Sequence, residues 1–280
     1  MASRFTTAAV GLTVLAAVVA VSSAHTAPAA AQDATAATRA RPAASSAPIP
    51  PIWTTVAQYR MNERTRPVLR DSSPNHLDGT IGAGVRLSGT FLRYPHVRPR
   101  TYRPGHPSWV DSSSLLEPLL SSFRVTWRFR VSPLARPVFA PNFMQKGQGW
   151  PTGGMFKFTN HDGRVGCLFR DGSRQAAVAT ATSFSDGEWH VATCARLLGA
   201  DPRVVVRVDG RLLGVNHKYV GMISNDWPLA IGGNTRCNGN QGDHPQHCNY
   251  WQGDMSWLRV QTQLPVLPLP DVDHRTVPTG

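Results

Sequence analysis

Phe123-Arg124-Val125-Thr126-Trp127-Arg128-Phe129-Arg130-Val131 alternates apolar and polar side chains without a break. Successive side chains of a β-strand point to opposite faces, so this segment reads as a strand with one face sealed and the other wet. Arginines dominate the wet face, the pattern of an antiparallel sheet covered on one side only.

The same period recurs along the chain. Met155 to Thr159 alternates, and Arg203 to Val208 sets Val204, Val206 and Val208 against Arg203, Val205 and Arg207. Val165 to Phe169 and Trp189 to Cys194 are two further predicted strands. Between these runs stand His161-Asp162-Gly163, Asp171-Gly172, Ser185-Asp186-Gly187 and Asp209-Gly210. Asp-Gly tolerates the positive φ angles of tight turns, so all four are read as hairpin signals. Helical signal is confined to Ser113 to Leu120, where Pro118 limits it to a turn or so. Strands at this spacing with almost no helix predict an all-β fold, a two-sheet antiparallel jelly-roll sandwich forming a single domain.

Composition sets the limits of that domain. Arg4 followed by the uncharged run Thr7 to Ser22 reads as a secretory signal, with small-residue cleavage sites after Ala24 or Ala31. Residues 1–31 are therefore assigned to a signal peptide and 32–52, rich in Ala, Thr, Pro and Ser, to a disordered linker. Aromatic and β-branched residues begin at Trp53 and run to Gln263 as one sandwich domain. Residues 264–280 carry Pro265, Pro268, Pro270 and Pro278 and read as a disordered tail. Beyond the leader no window approaches the ~20 apolar residues that span a bilayer, so the expected location is extracellular, with no membrane helix after cleavage.

An oxidising exterior permits disulfides, and four cysteines allow three pairings. The favoured ones are Cys167 with Cys194, joining two predicted strands, and Cys237 with Cys248, closing a short polar loop. A four-cysteine zinc site is the rival, although the paired C-x(2–4)-C spacing of such sites is missing. The formal charge is +12, and 26 of the 29 basic residues are arginine. Such a balance favours acidic partners through long-range attraction, while the abundance of Arg, Ala, Gly and Pro also fits a GC-rich coding sequence.

Several ordered motifs carry a family resemblance over Val56 to Gln261. They are Tyr59 to Glu63, Asp71-Ser72-Ser73-Pro74-Asn75 and Asp78-Gly79-Thr80 near the start, then Gln145-Lys146-Gly147 and Gly153 to Lys157. Asp186-Gly187-Glu188-Trp189-His190, Val208-Asp209-Gly210, Pro228 to Gly233 and Trp251 to Val260 follow. Together they resemble the laminin-G-like domains of secreted bacterial proteins, within the concanavalin A-like lectin/glucanase sandwiches. In the resemblance Tyr59 to Glu63 stands for the opening strand, Trp189 for a core side chain and His190 for its neighbour on the other face. The family often holds one calcium ion between the opening turn and the closing strand, which here implies Asp71, Asn75 and Asp254. Ser256 stands where the closing motif usually has Asp, so one negative ligand is lost from the six to eight oxygens calcium takes. No other cofactor is implied.

Enzymes on this sandwich usually cleave glycosides with two facing carboxylates. The chain has only three glutamates, Glu63, Glu117 and Glu188, each in a separate segment, and no E-x-D-x-x-E strand. His190 has no sequence neighbour suited to be its nucleophile. No G-x-S-x-G elbow, H-E-x-x-H helix or phosphate loop occurs. The expectation is a non-catalytic binding module for extracellular carbohydrate or an anionic envelope polymer, with a glycoside hydrolase or a structural and protein-interaction module as alternatives. Binding is placed on rim loops with rings and polar groups: Trp150, Trp227, Arg236, Asn238, Asn240, Asp243 and His244. A second basic region, Arg93 to His106, interleaves arginines with Tyr94 and Tyr102 and reads as a polyanion contact. An exported protein rarely meets nucleic acid as its target, so a glycan or envelope polymer is the expected partner.

Overall fold

A computed structural model describes residues 52–96, 106–134, 141–148, 154–234 and 249–263. The leader, most of the linker, the tail, Cys237 and Cys248 lie outside the described residues. Sixteen strands form among them. They are β1 (Trp53–Tyr59), β2 (Val68–Leu69), β3 (Gly79–Thr80), β4 (Arg86–Leu87), β5 (Leu92–Tyr94) and β6 (Ser108–Val110). Next come β7 (Ser122–Arg130), β8 (Asn142–Lys146), β9 (Met155–His161), β10 (Arg164–Arg170) and β11 (Gln175–Ala179). The last five are β12 (Trp189–Leu197), β13 (Arg203–Val208), β14 (Arg211–Asn216), β15 (Leu229–Ile231) and β16 (Gly253–Gln263).

Two eight-stranded sheets result, and every strand pair in them is antiparallel. The front sheet runs β14-β13-β12-β7-β16. The far edge of β16 is shared: β1 pairs with Leu258 to Gln263, and β5 pairs with Gly253 to Met255 and carries β4 beyond it. The back sheet runs β11-β10-β9-β8-β15-β6-β3-β2. Between them the apolar half of the β7 alternation is sealed, with Phe123, Val125, Trp127 and Phe129 all fully buried. Trp127 stacks on Phe158 at 5.5 Å and Phe129 meets Phe143 at 4.7 Å, both across the sheets. Each such side chain withdrawn from water contributes about 1.5–3 kcal/mol. Cys167 on β10 is bridged to Cys194 on β12, tying the two layers together as the favoured pairing requires.

Local sequence explains the connections. Asp162-Gly163 and Asp209-Gly210 each form a two-residue hairpin in which both residues take positive φ. Gly232 is demanded by packing, because a Cβ there would fall 2.2 Å from the ring of buried Tyr94. A 3-10 turn at Ser114–Leu116, capped by the Ser113 side chain, is the only helical turn among the described residues. Glu117 is extended, as the residue before a proline must tend to be.

Four expectations are corrected. The opening strand ends at Tyr59, and Met61 takes φ 51°, so Asn62 and Glu63 lie beyond it. Asp171-Gly172 is not a positive-φ turn; the loop from Asp171 to Arg174 is organised by the Asp171 carboxylate, which accepts from the Ser173 and Arg174 N–H groups. Ser185-Asp186-Gly187 is no hairpin, because it leads from β11 in the back sheet to β12 in the front sheet. Trp189 is not core: it sits opposite Arg130 in the register, on the wet face, while His190 sits opposite buried Phe129.

The sheet edges are dissimilar. At one side β2 and β4 are each two residues long, and the seven-residue β1 is met on its outer side by the loop after β2, where the Ser72 N–H donates to the Gln58 carbonyl at 2.8 Å. At the other, β11 and β14 touch: the Asn216 amide donates to the Ala177 carbonyl at 2.8 Å, and Gly214 lies against Val178.

Candidate functional site

The β-register assembles one row of side chains across five front strands. Arg86 opposes Arg93, Arg93 opposes Asp254, Asp254 opposes Arg130, and Arg130 opposes Trp189. Directly opposed residues share a face, so the row spans about 19 Å on the solvent side at the ~4.8 Å spacing of neighbouring strands. Asp254 accepts from Arg93 Nε at 2.7 Å and from Arg130 Nη2 at 2.7 Å, and its side chain is only 9% exposed. The hydrogen bond and charge of Asp254 raise the Arg93 pKa above its ordinary value. The rings are engaged too: the Arg128 and Arg130 guanidinia lie 4.5 and 4.7 Å from the Trp189 ring, and Arg93 lies 5.3 Å from Phe91. Such stacking holds the cations over apolar surface rather than leaving them mobile.

A cleft of about 660 Å³ opens over this row, lined by Arg86, Arg93, His96, Arg130, Gln252 and Asp254 among others. His96 Nδ1 and Gln252 Oε1 are paired at 3.0 Å on its wall. Asp254 is the one carboxylate among the lining residues, and its charge is shared by two arginines. The balance is two positive charges in excess, open to solvent. Further along the same face Arg124 lies 4.2 Å from the Trp53 ring, and Arg259 donates to Gln58 at 2.8 Å. The face is chemically suited to carboxylate, sulfate or phosphate groups, whose geometry the guanidinium fork matches.

No family profile and no curated protein matches the chain. Solved structures do. The binding domain of Paraclostridial Mosquitocidal Protein 1 superimposes with a TM-score of 0.52 at 14% identity, covering 75% of this chain and 48% of that one. The botulinum neurotoxin serotype D binding domain gives 0.52 at 13% identity, covering 74% and 46%. A receptor binding domain of botulinum neurotoxin D gives 0.52 at 13%, covering 74% and 48%. This chain is a β-sandwich like theirs. It spans about half the length of the solved chains it matches, and at these identities the likeness is one of fold.

Of the residues nominated for calcium, Asp71 and Asn75 share one network through Ser73, and Asp254 sits in another with Arg93 and Arg130. Both Asp71 oxygens are occupied, Oδ1 by the Gln58 and Ser73 N–H groups and Oδ2 by the Ser73 hydroxyl and the Leu77 N–H. Asn75 donates its side-chain amide to the Val56 carbonyl at 2.7 Å. Asp254 is held between two guanidinia, which repel a divalent cation. Among the described residues no group of three or more His, Cys, Asp or Glu side chains is placed to hold a metal. As arranged, this set does not fit the ion.

Of the rim residues, Trp227 is described, and its N–H donates to Asn225 Oδ1 at 3.1 Å. Trp150, Arg236, Asn238, Asn240, Asp243 and His244 lie outside the described residues, as do Arg98, Arg100, Tyr102 and Arg103. The feet of the rim loops do meet. Gln148 bonds Asn234 at 3.4 Å, and the buried Lys146 ammonium donates to the Asn225 carbonyl at 2.8 Å beside Glu117. Burial lowers the Lys146 pKa, with the Glu117 charge opposing that shift.

His190 is committed on both sides. Nδ1 bonds Asp209 at 2.7 Å and Nε2 bonds Asp186 at 3.0 Å, leaving neither nitrogen free to take a substrate proton. Burial lowers its pKa, but the hydrogen bonds and charges of Asp209 and Asp186 outweigh burial and leave it raised. Asp186 is held below its ordinary pKa by the Glu188 N–H and by His190.

Sequence reasoning marked Arg93 and the wet face of β7 but missed Arg86 and the pairing around Asp254. Its only available signal was alternation, which gives a face and not a neighbour.

Proposed function

We propose that this chain is a secreted, non-catalytic binding module of the laminin-G-like kind that recognises extracellular anionic carbohydrate or cell-envelope polymer. The observation that carries this reading is the row Arg86, Arg93, Asp254, Arg130 and Trp189, which leaves excess guanidinium charge facing an open cleft. Hydrolysis of a glycoside calls for two carboxylates flanking the bond, and this cleft offers one, already neutralised. The solved structures of similar fold are described as binding domains, which supports a binding role without naming a ligand. Among the described residues no helix is long and apolar enough to cross a membrane.

A glycan array carrying sulfated, uronic-acid and neutral saccharides, read at low and moderate salt, tests the proposal. Anionic glycans are expected to bind selectively, more weakly as salt rises, and Arg86→Gln should lower that binding several-fold. Equal binding of neutral glycans with no salt response, or release of reducing sugar from the best ligand, would overturn it.

A further inference from the structure

A second basic cleft, of about 550 Å³, is lined by Arg60, Arg64, Arg66 and Arg70 around a single carboxylate, Glu63. All four arginines are exposed. Arg66 is anchored by donating to the Gly82 carbonyl, and Glu63 Oε1 accepts the Arg70 N–H at 3.1 Å. The guanidinia of Arg60, Arg64 and Arg70 make no ion pair among the described residues. Gathering four cations around one carboxylate leaves repulsion that an anionic ligand relieves.

The β4–β5 hairpin joins this cleft to the first. Arg86 and Arg93 on its two strands line the first cleft, while the Arg64 guanidinium of the second lies against its turn, 3.5 Å from where a Cβ on Gly89 would sit. A polar link on the other flank runs from Arg259 on the wet face through Gln58 to Ser72, which lines the second cleft. We propose that the Arg60–Arg64–Arg66–Arg70 cleft is a second anion-binding site, and that both clefts hold one linear polyanionic saccharide as a continuous track. The proposal rests on the binding role assigned above to the first cleft. A saccharide is favoured over single-stranded nucleic acid because the second cleft is lined by no aromatic ring on which a base would stack.

A length series of heparin-derived oligosaccharides, titrated into the full chain by calorimetry, tests the track. Short oligosaccharides engage one cleft, and those long enough to reach both should bind about a hundredfold tighter, because the second contact becomes intramolecular. The double variant Arg60→Gln with Arg64→Gln should remove that step and spare short-chain affinity. Arg66 is left in place because it supports Gly82. A step that survives the double variant overturns the second site while leaving the first intact. Short-chain affinity that Arg86→Gln fails to lower overturns the first cleft instead. Oligothymidylate of matched charge binding as tightly as the long saccharide overturns the ligand class. Far-UV circular dichroism on each variant separates lost contacts from lost fold.

Discussion

Asp254→Asn separates stability from binding, because the two should move in opposite directions. The substitution keeps the shape of the side chain and removes the charge between Arg93 and Arg130. Charge-assisted hydrogen bonds are worth about 1.5–3 kcal/mol each when shielded. Arg93 and Arg130 are 49% and 32% exposed, so solvent screening reduces the combined loss to about 1–2 kcal/mol. For a domain of this size that lowers Tm by about 2–8 °C in a thermal melt. Binding should change the other way. Removing one negative charge about 7 Å from a bound anion is worth roughly 0.6–2.4 kcal/mol between the dielectric of bulk water and that of a protein surface, or about threefold to fiftyfold in affinity at low salt. Differential scanning fluorimetry and calorimetry with a sulfated oligosaccharide read the two effects. If the variant melts lower and also loses the anion, Asp254 is needed to position the arginines and the charge argument is wrong. If Tm does not move, the ion pairs contribute nothing.

Other consequences can be measured with the same preparations. Arg196 is buried and donates to the carbonyls of Gly221, Pro118, Leu119 and Ser121, so Arg196→Met should cost about 3–5 kcal/mol in urea unfolding; a loss below about 1 kcal/mol would refute that role. Burial lowers its pKa to about 10, so the guanidinium stays charged at neutral pH. The raised His190 pKa means that the latch to Asp209 and Asp186 stabilises fully below about pH 6.5 and weakens as pH climbs through the folded-state value. Asp186, held low, adds stability that is present above its unfolded-state pKa and lost as pH falls through its folded-state value. Wild type should therefore exceed His190→Asn most in mildly acidic buffer, and a gap in Tm that stays constant up to pH 9 would contradict this. Replacing Cys167 and Cys194 together with Ala should cost about 3–4 kcal/mol through the loop they close, read as a fall in urea midpoint. Calcium or EDTA should leave Tm where it is; a rise that grows with the logarithm of calcium concentration would show that a site exists after all.

The strands were readable where one face is apolar and the other charged. Phe123 to Val131 and Arg203 to Val208 emerge within a residue of their expected bounds, because alternation over a half-wet sheet leaves one solution. Trp189 misled for the same reason in reverse. A tryptophan is ordinarily assigned to the core, yet here its ring is covered by guanidinia from β7, a contact invisible until β12 and β7 are aligned. Aspartate-glycine pairs were ambiguous because aspartate both tolerates tight turns and binds backbone N–H groups. Asp162 and Asp209 turn the chain, whereas Asp171 and Asp186 chiefly accept hydrogen bonds. The arginine row was the least accessible feature. Arg93 and Asp254 are 161 residues apart, and no periodicity within either segment announces the other.

The way the sheets terminate bears on crowding. A protein concentrated along a polymer brings its copies close, and free strand rims then invite one copy to extend the sheet of the next. Here one flank is bridged where Asn216 meets Ala177, and the opposite flank ends in two-residue strands and in β1, whose outer side is occupied by the Asp71 to Asn75 loop through Ser72 N–H on the Gln58 carbonyl and the Asn75 amide on the Val56 carbonyl. If the proposed polymer binding holds, copies bound along one thread would meet without open strand edges to join through.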